Sequence, residues 1–438
     1  MERPAALIRA RRAFTTIAAA AAIWGGAAST ASAGWKPPVE IAAPSSIEVV
    51  GSEVASSQAG AAAVSFNEVN EDAQGTAAAF LSLASPHATF GAAQRLGAGA
   101  QEVLALAYSG TTLELLTARN TPGQPCCTTV DVTRRGPGGA FSGPQQLVSN
   151  VGGGTTGRLV PLADGRLLAV IGAPQGLWVA EARGTGRFAR ARALTPTGVS
   201  PVALGVTGTP DGGSTAVWTE GSGESVFIAS GAPGAPPSRP HTLLTVAPGH
   251  TIDDLQLVPR TGGLTVAWTE SWTDALGQYH AHAMAADLLG SAQPIRPRAL
   301  SAPANVASFL SLAADGHGDQ VAAWNVCSSD LCALQSSIRK AGGAWFGAPS
   351  RLGRIDAVAG PLVTMAPDRS SLIAWIRGGQ VVLAGLPRGA LHFRAPRPLS
   401  GALAADLALG FGPSGVAVAT WTQGTYSPDV FASLSSGG

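Results

Sequence analysis

Phe346-Gly347-Ala348-Pro349-Ser350-Arg351-Leu352 is the stretch that decides the fold. An aromatic is followed three residues later by proline and six later by leucine. The same spacing, with Pro or Ala in the middle and Leu or Ile at the end, recurs at Trp35/Pro38/Ile41, Phe90/Ala93/Leu96, Phe141/Pro144/Leu147 and Phe188/Ala191/Leu194. It returns with proline in the lead at Pro237/Pro240/Leu243 and Pro294/Pro297/Leu300, and again at Phe393/Pro396/Leu399. Successive copies start 55, 51, 47, 49, 57, 52 and 47 residues apart. One supersecondary unit of short strands, repeated at about fifty residues, is the mark of a β-propeller.

Each unit reads as four strands. In the sixth copy Phe309 to Ala313 is the inner strand, Asp315-Gly316 the turn, and Gln320 to Trp324 a buried second strand. Cys332 to Lys340 is the third strand and Phe346 to Leu352 the outer one. Asp-Gly at a strand junction marks a hairpin because such turns need positive φ. Asp164-Gly165 and Asp211-Gly212 stand at the same place. The second strand ends on Phe66, Ile171, Trp218, Trp268, Trp324, Trp375 or Trp421, each 28 to 31 residues after the preceding motif lead. That fixed register assigns the five tryptophans to packing between blades rather than to ligand stacking.

The strand from Trp35 to Ile41 appears before any inner strand, and the last repeat, Asp406 to Ser436, lacks an outer one. The N-terminal strand is therefore expected to complete the final blade and close an eight-bladed ring, which removes the sheet edges. Seven blades is the alternative, if the second copy is miscounted. The propeller spans residues 34–438 as a single domain, and a monomer is expected.

Composition sets the bounds on function. The 438 residues are 45% hydrophobic and 13% charged, with a formal net charge of +1, so no footprint for nucleic acid or an anionic membrane exists. Residues 1–33 read as a signal peptide, possessing a basic start (Arg3, Arg9, Arg11, Arg12), an uncharged run from Ala13 to Ala28 and a small-residue site at Ala31-Ser32-Ala33. Arg11-Arg12 also overlaps a twin-arginine signal. No other stretch is long and apolar enough to span a membrane, so a secreted, extracellular protein is expected.

Four cysteines fit an oxidising compartment. Cys327 and Cys332 are expected to form a disulfide across a short turn. Cys126 and Cys127 are neighbours, either a strained vicinal disulfide or two thiols. Both pairs are expected on rim loops of opposite blades. No zinc-ligand spacing accompanies them.

The repeat resembles that of secreted bacterial propellers of the sialidase-like, BNR-containing kind. Thr209-Pro210-Asp211-Gly212-Gly213-Ser214-Thr215 echoes that group's Asp-box (Ser-x-Asp-x-Gly-x-Thr-Trp). The echo lies between the first and second strands, where the family places its box between the third and fourth, and it lacks the adjoining Trp. The arginine triad, Tyr–Glu nucleophile pair and acid Asp that the resemblance implies find no match residue by residue. Tyr108 and Tyr279 lie on strands, and Tyr426 has no glutamate partner in sequence. Sialidase activity is therefore not carried over.

Two positions beyond the second-strand aromatic, the chain reaches the rim, at Glu68, Glu220, Glu270, Arg377 and Gln423. These are the candidate binding residues, and no catalytic motif, metal site or cofactor is assigned. A structural calcium ion has no ligand motif behind it, since calcium needs about six to eight oxygens. His280 and His282 share one face of a strand but lack a third metal ligand. The reading is a rigid platform for an extracellular glycan, peptide or protein. The alternative is a glycosidase or lyase acting on polysaccharide through rim carboxylates such as Glu220 and Glu270.

Overall fold

The computed structural model describes residues 34–43, 48–70, 76–97, 99, 101–121, 124–237, 239–289, 296–303, 305–328, 331–357, 359–425 and 428–435. The expected signal peptide, Tyr426, Pro294 and the side chain of Cys126 lie outside them.

Eight four-stranded antiparallel sheets make up the domain. From the inner strand outward, blade 1 is Glu48–Ser56, Ala62–Asn70, Thr76–Ala84 and Gln94–Arg95, and blade 2 is Glu102–Ser109, Thr112–Thr121, Gln124–Arg135 and Gln145–Gly152. Blade 3 is Thr156–Pro161, Arg166–Ala173, Gly176–Arg183 and Arg192–Ala193, and blade 4 is Pro201–Gly208, Ser214–Glu220, Ser225–Gly231 and His241–Thr245. Blade 5 is Thr251–Arg260, Gly263–Thr273, Tyr279–Leu288 and Arg298–Ala299, and blade 6 is Val306–Ala314, Gln320–Ser328, Leu331–Arg339 and Ser350–Ile355. Blade 7 is Leu362–Met365, Ser371–Arg377, Gln380–Leu386 and Arg397–Pro398. Blade 8 is Ala404–Phe411, Ala417–Gln423 and Asp429–Leu434, with Val39–Ala42 as its outer strand.

The chain therefore closes on itself as its sequence implies. Val39 pairs with Ala432 and Glu40 with Phe431. Ahead of the strand, the Lys36 amide donates to Leu434 O (2.8 Å) and Ser433 Oγ donates to Lys36 O (2.7 Å). The same segment reaches blade 1, where Lys36 Nζ donates to His87 O at 2.7 Å and Ile41 O accepts from the Ala93 amide at 2.8 Å.

Second strands are apolar without alternation because both their faces are packed between neighbouring blades. Val321, Ala322, Ala323 and Trp324 are all fully buried. The terminal aromatic points at the preceding blade. Trp218 packs on Leu168, Val170 and Leu177 of blade 3, and Phe66 on Val418 and Val430 of blade 8. Trp218, Trp268, Trp324, Trp375 and Trp421 are each 0% exposed, as expected of inter-blade packing.

The repeated motif has a backbone logic that corrects the expected outer strand. Its aromatic lies before the regular ladder, which in blade 6 starts at Ser350 rather than Phe346. The amide one residue after the lead donates to the third strand, as Gly347 does to Ile338 O (2.9 Å) and Arg394 to Gly385 O (2.8 Å). The amide six residues after the lead does so again, as in Leu194 to Leu177 O (2.7 Å) and Leu399 to Val381 O (2.8 Å). Proline between them, with no N–H to offer, is compatible with an edge strand.

At the end carrying the first-to-second-strand turns, arginines tie blade to blade. Arg166 Nε and Nη1 meet Asp164 (2.7 Å) and Glu181 (2.9 Å), while Nη2 donates to Gly212 O of blade 4 (2.8 Å). Arg339 of blade 6 grips Asp287 of blade 5 through two bonds of 2.7 and 3.0 Å, and Arg260 pairs with the same carboxylate.

Cys327 and Cys332 form the expected disulfide, but on directly opposite residues of the second and third strands of blade 6 rather than on a rim loop. The expectation for Cys126 and Cys127 is corrected. Both lie within the third strand of blade 2, in a long hairpin whose second strand runs to Thr121, not in a rim loop.

Candidate functional site

The opposite face of the ring carries the second-to-third-strand hairpins and the crossings from each outer strand to the next inner strand. All five expected rim residues reach it, and all are half-buried. On a strand, residues two apart share a face, so each of these side chains stands beside the aromatic that precedes it. Glu220 Oε1 accepts the indole N–H of Trp218 at 2.7 Å, and Gln423 Oε1 that of Trp421 at 3.4 Å. Trp375 instead donates to Arg354 O (3.0 Å), which leaves Arg377 out of the cap. Glu68 follows the apolar Phe66. Burial lifts its carboxyl above the usual range, and the nearby Arg95 offsets part of the rise. No hydrogen bond or ion pair joins any two of these five among the described residues. They repeat a structural position and do not assemble into one centre.

Glu270 departs from the pattern and marks the most elaborate polar feature of this face. Its Oε1 lies 2.7 Å from His250 Nδ1, and the Trp268 indole N–H is buried without a partner in the structure. His250 stacks on Trp272 at 4.6 Å between ring centroids, and His280 stacks on Trp272 at 5.1 Å. His282 meets Trp272 edge-on at 4.9 Å. His280 Nε2 is 3.0 Å from Asp274 Oδ2, and His282 Nε2 is 3.1 Å from Pro303 O. Hydrogen bonds from the Leu276 and Gln278 amides to Asp274 Oδ1, both 2.9 Å, close the hairpin tip. Those bonds hold the Asp274 carboxyl below its usual range, with His280 as the leading contributor. The blade 5 hairpin is thus a stiff prong with an aromatic stack at its base. Its tip presents Leu276, 91% exposed, and Tyr279, 55% exposed. Among the described residues no His/Cys/Asp/Glu group has the arrangement of a metal centre.

Nearer the axis, the inner strands bulge. Register shifts fall between Val50 and Glu53, Asp253 and Gln256, Ser308 and Ser311, and Ala405 and Ala408. The bulges place Gly51, Asp254, Phe309 and Asp406 at positive φ of 63°, 51°, 53° and 45°. Left-handed backbone suits Gly and Asp, but for a bulky phenylalanine it is an outlier. The residue after the second-strand aromatic secures this geometry. Thr269 Oγ1 donates to Asp254 Oδ2 (2.9 Å), Thr422 Oγ1 to Asp406 Oδ2 (3.3 Å), and Asn67 Nδ2 to Gly51 O (3.5 Å). Sequence reasoning missed this device, although its signal is visible as Asn67, Thr219, Thr269, Asn325 and Thr422 directly after an aromatic.

Acids line the inner strands as well. Burial raises the carboxyls of Glu53, Glu102, Asp253 and Asp254, opposed at Glu53 by Arg158 and reinforced at Asp253 by Asp254. Glu102 and Asp253 are solvent-accessible, so the concave, protein-ringed setting of the inner strands is what disfavours their charge.

The exposed apolar side chains are unevenly placed. Of the nine large ones among the described residues, six stand on this face. They are Val202 of blade 4, Leu276 and Tyr279 of blade 5, Phe309 and Leu331 of blade 6, and Leu403 leading into blade 8.

No protein-family model matches the chain, and none of the curated proteins does. Solved structures share its architecture at low identity. A protein of unknown function from Dyadobacter fermentans aligns with TM-score 0.47 and 10% identity over 92% of this chain and 98% of that one. An ulvan lyase of polysaccharide lyase family PL25 gives 0.49 and 10% over 76% and 93%. A Hadza microbial sialidase gives 0.40 and 12% over 73% and 76%. At these values the likeness carries no residue or activity over to this chain.

Proposed function

We propose that this chain is an extracellular propeller that docks a protein or peptide partner on the face of its second-to-third-strand hairpins. One observation carries the reading: six of the nine exposed large apolar side chains gather there, on the prong of blade 5, the hairpin of blade 6 and the strained bulge at Phe309. Exposed leucine and valine beside a rigid tyrosine favour the apolar surface of a polypeptide, and such aromatic anchors concentrate binding energy. Two of the rim acids each hold one oxygen in an internal bond, Glu220 with Trp218 and Glu270 with His250. The disulfide of blade 6 and the leader-like first 33 residues support an oxidising, extracellular setting.

A second reading, a polysaccharide-acting enzyme, is favoured by the raised carboxyls of Glu102 and Asp253 on the inner strands, since a general acid needs an elevated pKa. In that reading the chemistry sits at the axis and not at Glu220 and Glu270.

The deciding experiment immobilises the secreted protein and compares capture from extracellular fractions by the native chain and by a Leu276→Asp/Tyr279→Asp/Leu331→Asp variant of equal thermal stability. Leu391→Asp, on the other face, serves as control. A partner lost only in the triple variant supports the docking reading, and capture that survives it sinks that reading. Release of reducing ends or unsaturated products from a polysaccharide panel, abolished by Glu102→Gln or Asp253→Asn, would establish the enzyme instead.

A further inference from the structure

Blade 2 lacks the residue that seals every other blade. Register identifies the empty slot: Thr117 pairs with Asp131 and Asp131 with Gln146, as Trp218 pairs with Phe227 and Phe227 with Thr242. Thr117 therefore stands where other blades place Trp, Phe or Ile against the preceding blade. The side chains facing it from blade 1 do not compensate, and a cavity of about 230 Å³ opens there. Leu96 of blade 1 and Leu115 of blade 2 give it apolar walls, and Phe141, 36% exposed, lines it from the chain leading into the outer strand.

The polar side of the cavity is a fixed ion pair. Arg119 Nε donates to Asp131 Oδ2 at 2.6 Å, with Asp131 only 4% exposed and Arg119 25% exposed. Asp131 Oδ1 and the terminal nitrogens of Arg119 make no hydrogen bond to the described residues. An acceptor and a set of donors are thus open to whatever occupies the cavity, water or ligand. A ligand bearing two neighbouring hydroxyls suits both, one hydroxyl donating to Asp131 Oδ1 while the other accepts from Arg119. The pair is neutral overall, so an anionic ligand would bring an uncompensated charge beside Asp131. Leu96, Leu115 and the ring of Phe141 suit the C–H faces of a saturated ring. Size limits the occupant. An apolar cavity of about 150 Å³ holds benzene, and drug-sized ligands need about 300 Å³ or more, so this one takes a single ring.

We propose that the cleft between blades 1 and 2 binds one neutral sugar ring through a vicinal diol, gripped by the Arg119–Asp131 pair and packed on Phe141. The site is separate from the docking face and does not depend on it. A free monosaccharide and the end of a longer glycan present the same diol and differ in the substituent at the anomeric carbon.

Calorimetric titration of the full-length secreted protein with glucose, galactose, mannose, xylose and arabinose tests this, with their methyl glycosides, linear disaccharides and glucuronate as further arms. At least one neutral sugar should bind with a dissociation constant below about 10 mM, and its deoxy analogue lacking one diol hydroxyl at least tenfold more weakly. Disaccharides binding as well as the monosaccharide would identify a glycan terminus as the source. Thr117→Trp, which restores the missing packing, should keep or raise Tm and weaken binding at least tenfold. Should that variant misfold, Arg119→Met with Asp131→Leu removes the diol grip at similar volume and should give the same loss. No heat with any neutral sugar, binding that survives both variants, or glucuronate binding best would each overturn the proposal.

Discussion

Glu220 accepts the indole N–H of Trp218, two residues earlier on the same strand, at 2.7 Å. An acid placed at the rim by sequence position is thus the satisfying partner of a tryptophan that is 0% exposed. The relation repeats between Gln423 and Trp421 and fails in blade 6, where Val326 has no acceptor and the Trp324 N–H is buried without a partner. At Glu220 and Gln423, then, rim polarity serves the core.

Replacement of Glu220 separates the two roles. Glu220→Gln keeps a carbonyl acceptor and should shift stability by less than about 0.5 kcal/mol. Glu220→Ala strands the indole N–H and should cost about 1–2 kcal/mol. Urea unfolding of both variants measures the contrast, and equal losses would mean the cap contributes nothing.

Most of the architecture was readable because propeller blades repeat a local rule. Trp218, Trp268, Trp324, Trp375 and Trp421 sit at one register and share one environment, so spacing alone assigned them correctly. Ring closure followed from a strand surplus at one end and a deficit at the other. What sequence could not supply were contacts made across blades or between hairpins. His250, Trp272, His280 and His282 come from three segments that meet only once blade 5 is folded. The gap at Thr117 was hidden for a related reason: a missing aromatic leaves no mark until its neighbours' registers are known. Cys126 and Cys127 were expected on a rim loop, yet both fall inside the strand Gln124–Arg135.

Closure gives a prediction about assembly. Removing residues 34–42 deletes the outer strand of blade 8 together with the Lys36 and Ile41 links to blade 1. The truncated chain should lose cooperative melting and aggregate through the freed edge. A monomer by light scattering with an unchanged melting transition would contradict the closure.

The Asp287 hub gives a pH dependence with a definite sign. Burial pushes its carboxyl up, but the hydrogen bonds and charge of Arg339, with Arg260 and Thr265, prevail and hold it below the usual range. A lowered carboxyl contributes stability above its unfolded value of about 3.9, and that contribution is lost as pH falls through the folded value. Asp287→Asn should therefore destabilise by about 1–3 kcal/mol at pH 7, the partial exposure of the group keeping it below a fully buried pair. The gap between native and variant Tm should narrow steadily as pH is lowered below the unfolded value of about 3.9. A gap that stays constant across that range would assign the effect to packing.

Phe309 offers the sharpest test of the docking face, because stability and binding should move in opposite directions. Its φ of 53° places a bulky residue in left-handed backbone, and its ring is 39% exposed. Strain of this kind costs about 1–3 kcal/mol and persists where the surrounding structure enforces it. Here the enforcing contacts are the bulge itself and the Leu310 amide, which donates to Asp254 Oδ2 at 3.1 Å. Asp406 and Gly51 show that the same bulge elsewhere is made with residues that tolerate this backbone, so a bulky apolar ring is not required by the fold. Phe309→Gly removes the steric penalty but adds chain entropy to the unfolded state. The net change should be between neutral and about 1 kcal/mol of stabilisation. If the ring is held in place for a partner, the same substitution should weaken capture at least tenfold, about 1.4 kcal/mol. Loss of stability with capture intact would show that the ring is packed for the fold, through its contact with Gly360, and would remove Phe309 from the docking surface.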